Sequence, residues 1–274
     1  MKKCICAGIL LVLLCVCMAG SLAQDVSHYL LLGFDFWGDE TIGTSFNDTN
    51  IIMSIDTAHN RILVSSIMRD SYVTMPDGRQ SKLNQVVRKS DMDTVVKTVE
   101  DMMNIDLAGY VAISAPGFAR LIGELGGVEV DISYEEYFPG LQNNPNIPGV
   151  GKHVLRGNGL LAYIRNRKLE GHDRGRTERA REVMGKLMEK AKAMSAMELM
   201  GFATKAMKEV QTDMSLMDMV KLATKVLGLN GIKMDGYVIP ADNTWKYGEV
   251  HGNSIVDVDW EANSRLFAEF VAGN

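Results

Sequence analysis

The run HYLLLGF (residues 28–34) is short and almost wholly apolar, and two similar runs follow it, TNIIMSID (residues 49–56) and RILVSSI (residues 61–67). Apolar runs of this length, bounded by polar and turn residues, predict buried β-strands. The pair His59-Asn60 separates the second run from the third and predicts the turn that joins them. We therefore expect three neighbouring strands at the centre of a sheet.

Amphipathic stretches alternate with further apolar runs along the rest of the chain. The pattern predicts helices at 92–103, 116–127 and 180–194, a pair of helices over roughly 195–228, a helix from about Asp259, and strands at 109–114, 127–133 and 234–240. Residues 134–152 are rich in Pro, Gly and Asn and predict a long loop. Buried strands with intervening helices indicate an α/β fold, with a mixed or largely parallel sheet covered on both faces.

The first 23 residues have a charged start, an apolar run and the small-residue pattern Ser21-Leu22-Ala23. This composition predicts a signal peptide or an N-terminal membrane anchor. All four cysteines lie inside this segment, so the remainder has neither a disulfide nor a cysteine nucleophile. We expect residues 24–274 to form a single domain outside the cytoplasm.

The segment RNRKLEGHDRGRTERAR (residues 165–181) gathers six arginines and one lysine, although the chain has a formal net charge of −5. The planar arginine side chain suits bidentate binding of phosphate. Arg176 and Arg179 share a helical stripe with Val183, so the start of that helix is a candidate anion site, with Asp173 as a candidate to orient an arginine. The alternative is a surface network of ion pairs with the local acids Glu170, Asp173, Glu178 and Glu182.

Polar residues also follow or open each of the first three strands. Asp35 follows the first strand, Asp48 opens the second, and Arg69-Asp70 follow the third. Residues at the ends of adjacent strands converge on the edge of a sheet, and carboxylates next to phosphate suit Mg²⁺ or Mn²⁺. Lys82 and Asn84 are candidates for a further cation and amide. The sequence has no Walker loop, HExxH or GxSxG motif, and no histidine pair with zinc spacing.

In this order, the stretches YLLLGFD (29–35), NDTNIIMSID (47–56), SSIMRDSYVTMP (65–76), KLN (82–84), LIGELGGVEVDI (121–132) and AYIRNRK…DRGRTERAR (162–181) resemble the LytR-CpsA-Psr (LCP) family of Gram-positive bacteria. The resemblance implies a three-layer α-β-α sandwich with a central mixed sheet, in the cell envelope. It also implies a phosphotransferase that moves teichoic acid, capsule or a related glycopolymer from an undecaprenyl-pyrophosphate carrier to peptidoglycan. The implied partners are this lipid, peptidoglycan and the membrane surface, and not nucleic acid.

The resemblance also implies a role for each candidate residue. Asp35 and Asp48 become the site of Mg²⁺ (or Mn²⁺). General acid–base chemistry, and not the resemblance, makes Asp35 or Asp70 a candidate to accept the proton of the attacking sugar hydroxyl. The implied pyrophosphate clamp consists of Arg69, Arg165, Arg167 and Arg176. The other implied substrate-binding residues are Lys82, Asn84, Asp173 and Arg179. A tunnel between the sheet and its helices is implied for the polyprenyl chain.

Three positions depart from the family pattern. Trp37 and Phe46 stand where arginine is frequent, and Ala180 stands where glutamine is common. Loss of one transition-state donor costs ~10²-fold or more in rate, so we expect reduced activity. The alternative is an LCP-fold protein that binds polyprenyl-phosphate lipids or wall polymers without transfer. Nucleic-acid binding through the arginines is disfavoured by the export signal and by the acidic balance elsewhere.

Overall fold

The centre of the protein is a six-stranded mixed sheet. The computed structural model describes residues 26–35, 41–166, 179, 182–183, 185–187, 189–229 and 233–273. The strands of the sheet are β1 (Val26–Phe34), β2 (Asn47–Asp56), β3 (Arg61–Ile67), β6 (Leu107–Ser114), β9 (Val210–Thr212) and β10 (Lys233–Ile239), and their spatial order is β10-β3-β2-β1-β6-β9. Pairs β10–β3 and β1–β6 are parallel, and the other three pairs are antiparallel.

Strand β1 is apolar on both faces because helices cover both sides of the sheet. Leu30, Leu32 and Phe34 belong to one buried apolar cluster, whereas Tyr29 and Leu31 belong to the other. This alternation follows from the two-residue repeat of a strand. The predicted strands at 28–34, 49–56 and 61–67 are therefore confirmed, as is the turn at His59-Asn60.

In the described part of the chain, two long helices pack on one face of the sheet. Helix α2 (Met92–Met103) contributes Val95 and Val99 to the apolar cluster there, and helix α8 (Trp260–Ala272) contributes Phe267. Each helix begins at an aspartate that accepts a hydrogen bond from a backbone N–H of the first turn, Asp91 in α2 and Asp259 in α8. The starts of both predicted helices are confirmed.

The opposite face carries a thicker layer. It contains helices α3 (Ala115–Glu124), α5 (Gly157–Arg165), α6 (Ala196–Ala206) and α7 (Leu216–Leu227), together with the hairpin of β7 (Val128–Ile132) and β8 (Gly151–Leu155). Residues 179, 182, 183, 185–187 and 189–192 are also helical, and Val183 and Leu187 are buried in the same cluster. The molecule is thus a three-layer α-β-α sandwich with a central mixed sheet, as the resemblance implied.

Several short elements differ from the sequence predictions. The predicted loop 134–152 contains α4 (Tyr134–Glu136), the turn Tyr137–Leu141 and the start of β8. Residues between the last predicted strand and the last predicted helix, where the sequence pattern indicated no element, form the hairpin of β11 (Trp245–Val250) and β12 (Asn253–Val258). A further hairpin, β4 (Tyr72–Thr74) with β5 (Gln80–Lys82), precedes the short helix α1 (Val86–Lys89). None of the helices that the structure describes has the length and apolarity needed to cross a bilayer.

Candidate active site

The carboxylates and the arginine predicted from the first three strands come together at one edge of the sheet. Asp35 directly follows β1, and Phe34 pairs with Asn47 in β2, the residue before Asp48. Because β3 runs antiparallel to β2, the end of β3 lies at the start of β2. The chain beyond β3 therefore delivers Arg69 to the same edge.

Arg69 connects the second strand to the segment after the third. Its Nη1 donates a 2.6 Å hydrogen bond to Asp48 Oδ1, and its Nε lies 3.5 Å from Asp70 Oδ2 without forming a hydrogen bond. Burial alone would lower the pKa of Arg69, but the negative charges of Asp48 and Asp70 outweigh it and raise that pKa. Arg69 is therefore a permanent cation, and its buried Nε has no hydrogen-bond partner among the described residues.

The β4–β5 hairpin brings the predicted cation and amide to the same place. Lys82 Nζ donates to Asp70 Oδ1 at 3.1 Å, and the backbone N–H of Asn84 donates to the carbonyl of Arg69 at 3.0 Å. The Asn84 side chain is buried, and its Oδ1 accepts no hydrogen bond from the described residues. Asp48, Arg69, Asp70 and Lys82 form one ion-paired group, which we call the edge cluster.

The residues predicted to hold a metal have the right chemistry for Mg²⁺. Asp35 and Asp48 follow and open neighbouring strands, and the Oδ2 atom of Asp48 accepts no hydrogen bond from the described part of the chain. Mg²⁺ takes one or two carboxylates and completes its shell with water and phosphate oxygens. No group of three or more His, Cys, Asp or Glu side chains able to hold a metal occurs among the described residues.

Arg179 lies inside the protein. Only 5% of its side chain is exposed, its Nη1 donates to Glu136 Oε1 at 3.4 Å, and its Nη2 donates to the carbonyl of Asn166. Asn166 in turn donates from Nδ2 to the carbonyl of Glu136 at 2.7 Å, and the Tyr163 ring lies beside the guanidinium group. Among the described residues, Arg179 thus pairs with the distant Glu136 and not with the local acid Glu182. Its contact with substrate stays a prediction.

Long side chains show which end of the molecule Arg179 occupies. Lys190 Nζ donates to the carbonyl of Leu125, at the end of α3, whereas Arg179 reaches Glu136 and Asn166. Helix α3 begins beside Ser114, which pairs with Phe34 at the carboxyl end of β1, so Leu125 marks the opposite end. Arg179 therefore lies at the same end of the sandwich as the edge cluster.

Three predicted residues, Arg167, Asp173 and Arg176, lie outside the described residues. For Arg165 the structure gives the backbone, as the last residue of α5, and the following Asn166 is extended. The guanidinium groups expected from this segment stay a prediction, although the described residues on either side of it, Asn166 and Arg179, contact each other.

Two residues that sequence reasoning missed lie close to these groups. Glu136 anchors Arg179, and its only sequence signal is the pattern Ser133-x-x-Glu136, a capping box at the start of α4. Arg88 in α1 places its guanidinium carbon 4.3 Å from the centre of the Phe46 ring, and no motif marks it. Both contacts join segments that are distant in sequence.

A cavity of about 500 Å³ lies at the other end of the sheet. Its lining includes Val26 at the start of β1, Arg61 at the start of β3, Met103 at the end of α2, and Phe267 of α8. The edge cluster lies instead at the end of β1 and the start of β2. The cavity is therefore separate from the candidate active site.

Comparison with known proteins places the chain in a family. A model of the LytR_cpsA_psr family matches residues 18–267. The chain is 30% identical over 197 residues to the polyisoprenyl-teichoic acid–peptidoglycan teichoic acid transferase TagU of Enterococcus faecalis, covering 71% of this chain and 63% of that protein. It is 27% identical over 223 residues to TagT of Bacillus subtilis, a transferase of the same description, covering 78% of this chain and 69% of that one.

Solved structures show the same fold. TagT bound to LIIa-WTA aligns with a TM-score of 0.67 and 23% identity, over 93% of this chain and 94% of that one. Bacillus subtilis TagV aligns with a TM-score of 0.65 and 24% identity, over 90% of this chain and 98% of that one. The family match spans most of the sequence, and the fold agrees over nearly all of it. The chain belongs to the LytR-CpsA-Psr family.

Proposed function

We propose that this protein transfers a teichoic-acid-type glycopolymer from a polyisoprenyl diphosphate carrier to peptidoglycan. The relatives named above are teichoic acid transferases that act between polyisoprenyl-teichoic acid and peptidoglycan. The observation that carries the proposal is the edge cluster, in which Arg69 and Lys82 are held at one sheet edge by Asp48 and Asp70. Preorganised cations and carboxylates of this kind are what phosphoryl transfer requires.

In the proposed reaction, a sugar hydroxyl of peptidoglycan attacks the phosphorus atom that carries the glycopolymer. The bridging P–O bond breaks, polyisoprenyl monophosphate leaves, and the hydroxyl proton passes to Asp70 or Asp35. Arg69 binds the phosphate oxygens through its guanidinium group, and Lys82 neutralises charge beside it. The arginines at 165, 167 and 176 complete the proposed clamp.

We include a divalent metal, Mg²⁺ or Mn²⁺, in the proposal because Asp35 and Asp48 offer hard oxygen ligands at neighbouring strand ends. When bound, the ion would supply positive charge to the phosphate oxygens. Asp48 would use Oδ2 for the ion while Oδ1 keeps its hydrogen bond to Arg69. Arg69 thereby positions the carboxylate as well as the phosphate.

The proposed place of work is the outer side of the cytoplasmic membrane. Residues 1–23 have the composition of an export signal or an anchor, and the carrier lipid is itself a membrane component. A fusion of the full chain to a reporter that is active only outside the cytoplasm tests this location. Reporter activity is the expected result, and a cytoplasmic signal contradicts the proposal.

A transfer assay tests the activity. Purified protein is mixed with Mg²⁺, a fluorescent saccharide on a polyprenyl diphosphate, and peptidoglycan, and labelled peptidoglycan is the expected product. Removing the metal with EDTA should abolish transfer, and adding Mg²⁺ or Mn²⁺ back should restore it. Asp48→Asn should reduce transfer strongly, whereas Asp77→Asn, at an exposed hairpin turn, should not.

A second candidate function, lipid or polymer binding without transfer, is favoured by one observation. Phe46, whose exposed fraction is 43%, places an apolar ring two residues before Asp48, beside the charged edge cluster. The same assay separates the two functions, because a binding protein holds the donor tightly and yields no labelled peptidoglycan.

A further inference from the structure

We propose that Arg88 is a diphosphate-binding residue and that the Phe46 ring holds its guanidinium group at the candidate active site. The inference rests on the proposed function and adds a cation to it. The observation that supports the inference is the contact between the two side chains, in which Arg88 Cζ lies 4.3 Å from the centre of the Phe46 ring. An arginine over an aromatic face at this distance gains cation–π attraction and keeps its N–H groups available.

The position of Phe46 brings Arg88 close to the edge cluster. Phe46 lies between the extended residue Ser45 and the first residue of β2, and it is two residues from Asp48. Two residues of extended chain span at most about 7 Å, so Phe46 stays close to Asp48 even though the pairing of β2 with β1 shifts register there. The Phe46 ring and the guanidinium group above it therefore lie near the carboxylate that holds Arg69.

The connection to Asn84 supports the same placement. Helix α1 follows directly after the turn Leu83–Gln85, and the backbone of Asn84 is bonded to that of Arg69. Arg88 is four residues beyond Asn84. About one turn of chain therefore connects Arg88 to the residue that is bonded to Arg69, and the Arg88 side chain is exposed there whereas Asn84 is buried.

The edge cluster has no net positive charge to offer a diphosphate, and Arg88 would supply some. Within the edge cluster, Arg69 and Lys82 are matched by Asp48 and Asp70, so the four charges cancel. A diphosphate needs additional positive charge from outside that group. Arg88 forms no ion pair with any carboxylate that the structure describes, so its charge is uncommitted.

A purely structural role for Arg88 makes a different prediction. Arg88 and Lys89 both lie in the last turn of α1, where a cation stabilises the free helix carbonyls. Lys89 is exposed and has no aromatic partner among the described residues. If Arg88 only stabilises the helix end, Arg88→Gln and Lys89→Gln should behave alike.

The test measures binding of geranylgeranyl diphosphate and geranylgeranyl monophosphate by calorimetry at two salt concentrations. We expect Arg88→Gln to weaken diphosphate binding about tenfold and to reduce its salt dependence, with a smaller effect on the monophosphate. Lys89→Gln should bind as the unaltered protein does. Phe46→Leu should give an intermediate loss, and Phe46→Arg should restore diphosphate affinity to the Arg88→Gln variant.

The outcomes separate this inference from the proposed function. If Arg69→Gln abolishes diphosphate binding while Arg88→Gln leaves it unchanged, the role of Arg88 is overturned and the proposed function stands. Equal losses in Arg88→Gln and Lys89→Gln also overturn it. If the unaltered protein binds neither lipid, both the role of Arg88 and the proposed function are overturned.

Discussion

Asp48 Oδ1 and Arg69 Nη1 are joined by a 2.6 Å hydrogen bond that links the start of β2 to the segment after β3. About one-fifth of each side chain is exposed, so the pair is shielded from water yet open to a ligand. Its geometry exists before any substrate arrives, and a preorganised charge needs no reorganisation during the reaction. The first prediction concerns this pair.

Replacing Arg69 by glutamine should lower glycopolymer transfer by ~10²-fold or more, because a positioned donor to the phosphate is lost. It should also cost about 1–3 kcal/mol of unfolding free energy, since Asp48 is left partly buried without its partner. The matched control is Arg79→Gln, which breaks a 2.7 Å pair with Asp77 that is about half exposed. Initial transfer rates and urea unfolding measure both effects. Equal rates in the two variants would rule out the role of Arg69.

Replacing Arg179 by glutamine should destabilise the fold by about 3–5 kcal/mol, because Glu136 and the Asn166 carbonyl lose a buried cationic partner. The control is Lys205→Gln, whose pair with Glu124 is exposed and should matter by less than about 1 kcal/mol. Denaturant midpoints measure the difference. Normal stability combined with weakened lipid binding would instead make Arg179 a substrate-binding residue, as the family resemblance implies.

The contact between β1 and β2 next to the site leaves no room for a larger residue at Gly33. An added Cβ would lie 2.8 Å from the Cβ of Thr49, its partner across the two strands. Gly33→Ala should therefore cost about 1–3 kcal/mol by overpacking. Gly43→Ala, where an added Cβ meets nothing within 4 Å, serves as the control. A Gly33→Ala protein as stable as the control by urea unfolding would show that the strands are not packed this closely.

His28 should make the protein less stable in mild acid. Burial lowers the pKa of His28 below its ordinary value of 6.5, and the charge of Asp106 offsets only part of that effect. The unfolded chain then binds more protons than the folded one just below pH 6.5, so the free energy of unfolding falls as the pH drops through that region. Its ring also pairs with Ser54 Oγ at 2.7 Å.

Urea unfolding between pH 7.5 and pH 5 measures this dependence. His28→Gln should reduce the loss of stability on acidification, whereas His251→Gln, at the exposed β11–β12 turn, should leave it as it is. If the His28→Gln variant has the same pH dependence of stability as the unaltered protein, then burial does not lower the pKa of His28.

The central strands and helices could be predicted from the sequence because the spacing of their apolar residues is enough to identify them. The run at 28–34 is buried on both faces, and the helix predicted at 92–103 has the observed bounds. Strand ends then placed Asp48 and Arg69 at one edge, and a hydrogen bond between them is observed. The predicted strands and the observed contact agree because the end of each strand determines where the polar residues next to it lie.

The smaller elements could not be predicted in this way. Residues 245–258 form a hairpin in which exposed positions such as Lys246 and Glu249 dominate, so its stability comes from strand pairing and not from an apolar pattern. The partner of Arg179, Glu136, lies 43 residues away in the segment predicted as a loop. Likewise, the stacking of Arg88 on Phe46 follows from tertiary packing, and no spacing or motif in the sequence relates the two residues.

The most direct test of the central claim is a crystal structure of the protein with a polyprenyl diphosphate. The account predicts that the diphosphate lies at the edge cluster, with phosphate oxygens ~3 Å from the Arg69 guanidinium group and the metal between them and Asp48. A head group bound elsewhere, for example in the cavity lined by Val26 and Phe267, with the edge cluster unchanged, would contradict it.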